Sequence, residues 1–403
     1  MSTPIQNKRI LLGVTGSIAA YKAAELASKL AQAEARVDVL LTQSAIQFVT
    51  PLTFQSVTGR RAYTDADLWG KEGHVQHVGL ARDADLMLIA PASANTLSKL
   101  AHGLADNLLT VTALAAICPL VVAPAMDAGM FAHPATQANL EVLRQRGASV
   151  IGPVEGHLAS GLTGMGRMVE PLELLGYLRM LLGRDGPLHG RKIVVTAGGT
   201  QEPIDPVRVI ANRSSGKQGF AMAQAALDLG AEVILISGPA NLPTPVGAQR
   251  VDVGTAQEMR EAVLSTLPQS EALIMAAAVA DFKPSAPAVD KIKKEAGVPH
   301  IGLERTADIL QAVAQYKAEK GWPHLTIGFA AESRDLLENA RAKLNAKKLD
   351  MIVANDISAA EAGFGVDTNR VTLLYPDGPV EALPLLSKEQ VAEAVLERLV
   401  ERM

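Results

Sequence analysis

An apolar strand running into a glycine turn and then a helix occurs twice in this chain, as "ILLGVTGSIAAYK" over residues 10–22 and again from residue 193 as "IVVTAGGT". Such an opening constrains the fold more than any other feature. The strand must be covered on both faces, and the turn brings the backbone close to whatever lies at the strand's carboxyl end. After the first copy, Ala20, Ala23, Ala24, Ala27, Leu30 and Ala31 recur at helical spacing and predict a small-residue face packed on a sheet. Strands "VDVLLT", "DADLMLIAPASAN" and "CPLVVAPAMD" follow, with "GASVIGP" as a fifth. The second copy leads to "GFAMAQAALDLG", a helix closed by Gly230, and to strands in "AEVILISG", "EALIMAAAVADF", "HLTIGFAAES" and "LDMIVANDIS". Strands alternating with helices predict an α/β chain of two doubly wound, mainly parallel-sheet domains. With 403 residues the chain is long enough for both, and "GRDGPLHG" marks a junction near 185–190, giving domains 1–188 and 189–403.

Composition narrows the function. Aromatic residues are 3% of the chain and the net charge is −4, so neither base-stacking platforms nor a general attraction to nucleic acid is expected. The single cysteine, Cys118, excludes an internal disulfide framework and a multi-cysteine zinc site, and fits a reducing cytoplasm. The longest apolar stretch, "ALAAICPLVVAPAM", is cut by Pro119 and Pro124, and the opening segment has no signal-peptide pattern; no membrane partner is expected.

Neither turn contains G-x-G-x-x-G, and the strands that would carry a ribose-binding acid end in Thr42 and Ser44 or in Ser237. Hydroxyls suit a phosphate or a flavin edge, so a nicotinamide-linked oxidoreductase is disfavoured. In open sheets of this kind ligands sit at the carboxyl edge, which gathers Gly16, Ser17, Ser93, Asn95 and Asp127, with Asp106 and Asn107 from "GLADNLL". His77 precedes the strand that ends in Ser93, and an imidazole titrating near neutrality suits proton removal from a thiol; His74 lies beside it in the same segment. In the second half, Ser214, Ser215 and Gly216 are candidate caps of a helix start that also suits phosphate. "DKIKKEAG", with Lys291, Lys293 and Lys294, is either a solvated face or a seat for a polyphosphate.

The ordered set "GVTGSIAAYK", "LTQSA", "HVQHVGLARDADLMLIAPASANT", "GLADNLL" and "PAMDAGMF" resembles the flavin-containing cysteine decarboxylases, and the second half resembles phosphopantothenate–cysteine ligases. Over roughly 5–400 the chain is similar to the bifunctional family of coenzyme A biosynthesis that fuses the two. The resemblance implies CTP-dependent joining of cysteine to 4′-phosphopantothenate through an acyl-cytidylate, with Mg²⁺ on the phosphates. It also implies FMN-dependent decarboxylation of the product by way of a thioaldehyde. His77 falls on the decarboxylase base. Gly16, Ser17, Ile18, Thr42, Ser44, Ser93, Asn95, Asp106 and Asn107 fall in flavin motifs, and Met126 and Asp127 in the substrate motif. Asn212 matches a ligase residue associated with the acyl-nucleotide, and Lys291 one on the triphosphate. Met275, Ala276, Ala277, Asp281, Ala307, Asp308, Ile309, Leu310, Phe329, Lys343 and Lys347 fall at other CTP positions. Flavin domains in trimers and ligase domains in dimers, together a dodecamer, are the implied homo-oligomer.

Two positions depart from the family pattern. Asp127 stands where the family has asparagine, and Ser160, in "HLASGLTGMGRM", stands where a flexible clamp carries a proton-donating cysteine. An alcohol is a far weaker acid than a thiol of pKa ~8.5. Three outcomes stay open at this point: a working variant in which Asp127 and Ser160 form a compatible pair, an enzyme that stalls at the oxidised enethiol, and a ligase with a degenerate or regulatory flavin domain.

Overall fold

The apolar segments of the first half pair in parallel as β1 (Arg9–Val14), β2 (Arg36–Leu41), β3 (Ala62–Tyr63), β4 (Leu86–Ala92), β5 (Leu120–Pro124) and β6 (Ser149–Val150), in the order β3-β2-β1-β4-β5-β6. Each side chain of β4 is buried, as a strand covered on both faces requires. The two-residue edge strand β3 is too short to leave a periodic trace in the sequence. Without it the order is the 2-1-3-4-5 of flavodoxin-like sheets, and with it the 3-2-1-4-5-6 of Rossmann sheets. Both orders reverse between β1 and β4, where a crevice opens at the strands' carboxyl ends.

The computed structural model describes residues 3–69, 76–293, 300–332, 335–356 and 365–403, so His74 and Lys294 lie outside the described residues. The chain forms two compact units, Thr3–Leu181 and Leu182–Met403. Helix Ala20–Gln32 of the first unit departs slightly from the expected face. Ala24 and Ala31 are only partly buried, whereas Leu26 and Lys22 are buried. A lysine can sit there because its ammonium is bonded to Met168 O at 3.0 Å and Glu170 Oε1 at 2.9 Å. Those partners close the antiparallel hairpin β7 (Val154–His157) and β8 (Thr163–Arg167), whose turn carries Ser160.

The second unit repeats the strand order. Its sheet runs β13-β12-β9-β14-β17-β18-β20-β21. Here β9 is Lys192–Ala197; the hairpin β10 (Gln201–Pro203) and β11 (Val209–Ala211) leaves the sheet; β12 is Glu232–Ser237, β13 Gln249–Asp252 and β14 Ala272–Met275. A second hairpin, β15 (Phe282–Pro284) and β16 (Leu303–Arg305), precedes β17 (Leu325–Glu332) and β18 (Met351–Asp356). After β19 (Thr368–Asn369), strands β20 (Val371–Leu374) and β21 (Glu381–Ala382) add an antiparallel edge. Helix Lys217–Asp228 ends with Gly230 in the left-handed conformation, as its glycine stop predicts. Of the three candidate caps at its start, the glycine holds the position. Gly216, at φ +75°, is the cap residue with no side-chain hydrogen bond, and Ser214 Oγ instead accepts from Gly216 N–H at 3.3 Å. Among the described residues no helix is long and apolar enough to cross a membrane.

Candidate active sites at the two sheet edges

In the first unit the strand ends are tied to one another before any ligand is considered. Thr15 Oγ1, just past β1, donates to Pro91 O at 2.7 Å and accepts from Ser93 N–H at 2.9 Å, locking the β1 and β4 ends together across the switch point. Thr42 N–H reaches back to Val14 O at 3.1 Å. Gly16 then passes so close to Ser44 that a Cβ added to it would lie 2.4 Å from Ser44 Cβ. Ser17 is half-buried, and Ile18, Ser44 and Asn95 are exposed around the same edge.

Several of the predicted flavin ligands also serve the fold. Ser93 caps helix Ala94–His102 by accepting from Thr96 N–H, and Asn107 caps helix Leu108–Ala115 in a reciprocal box with Thr110. Asp106 is therefore not the cap. It is exposed and takes two hydrogen bonds from Lys99, at 2.7 and 2.8 Å, which lower its pKa. His77 sits in the first turn of helix Gln76–Arg82, and its Nδ1 is buried without a hydrogen-bond partner.

The clamp hairpin seats on the loop after β5. Met126 N–H donates to Gly166 O at 3.0 Å, and a Cβ at Gly166 would meet Met126 O at 2.2 Å. This docking brings Ser160 to Asp127: the serine hydroxyl donates to Asp127 Oδ2 at 2.7 Å, and Gly129 N–H donates to Oδ1 at 2.9 Å. These two bonds, the serine's first, hold the Asp127 carboxyl below its usual pKa, so it is ionised at neutral pH.

In the second unit, one cleft of about 1180 Å³ runs along the ends of β14, β17 and β18. Asn212, Met275, Ala276, Ala277, Asp281, Ala307, Asp308, Ile309, Leu310, Phe329, Lys343 and Lys347 all line it. Lys291 does not; it is exposed, in the segment between β15 and β16. Asn212 Nδ2 donates to Val279 O at 3.0 Å, which turns its amide along the cleft wall. Ala277 N–H is taken by Thr196 Oγ1 at 3.2 Å. Lys343 Nζ donates to Phe329 O at 2.9 Å, and Lys347 bonds Asp308, which also caps helix Ile309–Lys320. Burial pushes the Asp308 pKa up, but hydrogen bonds from Lys347 and from Gln311 N–H outweigh it and leave it lowered.

Six cationic side chains line the cleft (Arg213, Lys217, Arg305, Lys343, Lys347 and Lys388) against two carboxylates, Asp281 and Asp308. That excess, beside the uncapped start of helix Lys217–Asp228, suits a polyanion. Among the described residues no group of three or more His, Cys, Asp or Glu could hold a metal ion. Sequence reasoning missed Asn355, Asn369 and Lys388. The polar end of "VAND" is a visible signal for the first, whereas Lys388 reads as the exposed start of a capped helix.

The comparisons with known proteins divide the chain in the same way. Residues 1–183 match the family model described as Flavoprotein, and 188–403 match the DNA/pantothenate metabolism flavoprotein C-terminal domain. The chain is 46% identical over 398 residues to the Coenzyme A biosynthesis bifunctional protein CoaBC of Bacillus subtilis, covering 98% of this chain and 97% of that one. Against the protein of the same name from Vibrio parahaemolyticus it is 43% identical over 401 residues, covering 99% of each. A crystal structure of the C-terminal domain of a protein with this name is 42% identical, covers 54% of this chain and 97% of its own, and has a TM-score of 0.46.

Proposed function

The chain belongs to the family of bifunctional coenzyme A biosynthesis proteins, and we propose that its halves carry out successive steps, ligation in 189–403 and flavin-dependent decarboxylation in 1–188. It is a bifunctional enzyme and its first half is a flavoprotein. The substrates proposed are 4′-phosphopantothenate, cysteine and CTP, and the compartment the cytoplasm. The observation that carries the reading is the single cleft lined by every ligase residue singled out above except Lys291.

In the ligase half, the substrate carboxylate attacks the α-phosphorus of CTP, pyrophosphate leaves, and cysteine's amine then displaces CMP from the acyl-cytidylate. Lys343 and Lys347 face the triphosphate, and the Asn212 amide spans the acyl carbonyl and the phosphate. Asp308 holds Lys347 in place. Mg²⁺ is assigned to the nucleotide's own phosphates, with Asp281 as the cleft carboxylate that would assist, since Asp308 is engaged by Lys347.

In the flavin half, the close pass of Gly16 over Ser44 and the orphaned His77 Nδ1 fit a bound FMN and a thiol substrate. When bound, the flavin supplies a reversible two-electron sink. Gly16, Ser17 and Ile18 form the turn against its phosphate, and Thr42, Ser44, Ser93, Asn95, Asp106 and Asn107 border it. His77 takes the thiol proton. Met126 and Asp127 border the substrate, and the final protonation is assigned to the Ser160–Asp127 pair: Asp127 takes a proton from water, and Ser160 passes its own proton on as it receives that of Asp127.

End-product analysis tests the whole reading. With phosphopantothenate, cysteine and CTP together, mass spectrometry should find phosphopantetheine, with pyrophosphate released only when phosphopantothenate is present. Accumulation of a species two hydrogens short would refute complete decarboxylation, and pyrophosphate release without phosphopantothenate would refute the ligation.

A further inference from the structure

The cleft of the second unit straddles its sheet, and the strand register says which residues fall on which face. Val353 pairs with Leu373 and Asn355 with Val371, and Asp356 N–H on Arg370 O at 3.3 Å carries the ladder on toward Asn369. Side chains alternate along a strand, so Asn355, Val371 and Asn369 share the face of Val353 and Leu373. That face packs against helices Lys217–Asp228 and Lys388–Val400. Helix Ile309–Lys320, with residues 307–310 at its start, and helix Leu336–Ala346, with Lys343 and Lys347 at its end, cover the opposite face. The helix residues assigned to CTP therefore stand on one side of the sheet's edge and the two asparagines on the other.

Asn369 is 3% exposed, and its Oδ1 and that of Asn355 are both buried without a hydrogen-bond partner in the lining of the cleft. Asn369 Nδ2 donates to Gln218 Oε1 at 3.3 Å, which fixes the sense of the amide and leaves its oxygen as the atom to be answered. Buried amide oxygens are normally paired, so two on one face create a demand for N–H or O–H donors. The lysines beside them are already committed: Lys217 Nζ donates to Asp367 Oδ1 at 2.6 Å, and Lys388 Nζ donates to Val366 O. This side of the cleft calls for donors rather than for a countercharge. Cysteine brings its donors on an ammonium beside a carboxylate, which adds acceptors where acceptors are already in excess. 4′-Phosphopantothenate carries a hydroxyl and an amide N–H, one carbonyl carbon apart, in the neutral stretch between its charged ends.

We propose that Asn369, together with Asn355, reads this neutral stretch and so determines which acyl donor the ligase half accepts: Asn369 Oδ1 takes the hydroxyl and Asn355 Oδ1 the amide N–H. The sheet order β14-β17-β18-β20 sets the direction. Asn355, on β18, lies nearer the β14 and β17 ends, where the substrate carboxylate meets CTP. Asn369, beyond it, takes the donor farther from that carboxylate. This rests on the ligation reading above. Both residues hold the substrate, and neither moves a proton.

The test uses the full-length protein and two substrates, phosphopantothenate and its analogue lacking the hydroxyl. The unsubstituted protein should prefer phosphopantothenate at least tenfold in KM, about 1.4 kcal/mol of binding. Asn369→Ala should raise the KM for phosphopantothenate by that factor and no longer distinguish the two compounds, a loss that a merely structural defect would not produce. Asn355→Ala should raise the KM for both compounds and keep the preference, which leaves the question answerable if the first variant fails to fold. An Asn369→Ala protein that still prefers the hydroxylated compound tenfold overturns the proposal, and so does an unchanged KM for phosphopantothenate in a folded Asn355→Ala protein. A rise confined to the KM for CTP or for cysteine overturns it too, giving the two oxygens to one of those molecules. If the unsubstituted protein releases no pyrophosphate from CTP and phosphopantothenate, the ligation reading falls and takes the proposal with it, an outcome distinct from a defect confined to the variants.

Discussion

Asp127 and Ser160 set the proton supply of the flavin half. Because the Asp127 pKa is lowered in the folded chain, chiefly by the serine hydrogen bond, their contact contributes above the ordinary carboxylate pKa. It is lost as pH falls through the lowered value, so at neutral pH it is fully formed. The same shift makes protonated Asp127 scarce, and scarcer as pH rises. If the pair relays the last proton, phosphopantetheine formation should slow about tenfold per pH unit above neutrality while the oxidised enethiol accumulates. Ser160→Cys, which restores a thiol acid, should flatten that slope; product ratios by mass spectrometry against pH give the answer. Lys291 poses a different residue question, since it lies outside the cleft lining. Its segment is nonetheless held to the β10–β11 turn, with Ile292 N–H on Asp205 Oδ2 at 3.2 Å and Ala288 N–H on Ile204 O at 2.8 Å. Lys291→Gln should slow acyl-cytidylate formation by roughly tenfold or more, the worth of one charged hydrogen bond, and leave the flavin spectrum unaltered. Undiminished pyrophosphate release would remove Lys291 from the triphosphate.

Among elements, the clamp hairpin and the first glycine turn depend on backbone closeness that only glycine permits. Gly166→Ala sets a methyl against Met126 O, a backbone atom that cannot rotate aside, so β8 must lift from the loop carrying Asp127. Decarboxylation should fall sharply while cysteine ligation stays within twofold, measured on one preparation. Gly16→Ala drives its methyl into Ser44. Overpacking of this kind costs about 1–3 kcal/mol, and the flavin bound per chain should drop with the melting temperature. Gly16 was visible in the sequence, because strand–glycine–helix openings advertise themselves through burial on two faces and a forced turn. The successive parallel strands were legible for the same reason, and the ligase residues singled out through the family resemblance all line the cleft except Lys291. What stayed hidden depends on partners distant in sequence. Lys22 is buried through Met168 and Glu170, some 146 and 148 residues away, and no local pattern announces that. Asn369 and Lys388 reach the cleft only because β19 and the final helix fold back onto helix Lys217–Asp228. Among the candidate caps Ser214, Ser215 and Gly216, the sequence does not single one out; the left-handed conformation at that point gives the position to the glycine.

At the scale of the whole molecule, each unit carries its own doubly wound sheet, and in each the order reverses between the first and fourth strands, β1/β4 and β9/β14. A sheet of this order opens one crevice at its switch point, so two sheets supply two sites. Apolar side chains stand exposed on both units. Tyr21, Leu114 and Ile117 belong to the first, and Val207, Phe282 and Val289 to the second; Ile117 is 88% and Val289 90% exposed. Scattered singly such residues mean little, but both family resemblances imply assembly, trimers through the flavin half and dimers through the ligase half. The native mass should then be a multiple of the 42.4 kDa chain, reaching twelve copies when both contacts are satisfied. If the flavin sites lie at the trimer contacts, dilution to monomers must also release the cofactor, because the site then loses one wall. Mass photometry and flavin fluorescence followed across one dilution series would decide between the possibilities. Coincident transitions support a shared site, whereas flavin retained by a 42.4 kDa particle would mean that the turn at Gly16 and the edge around Ser93 hold it without help from a second copy.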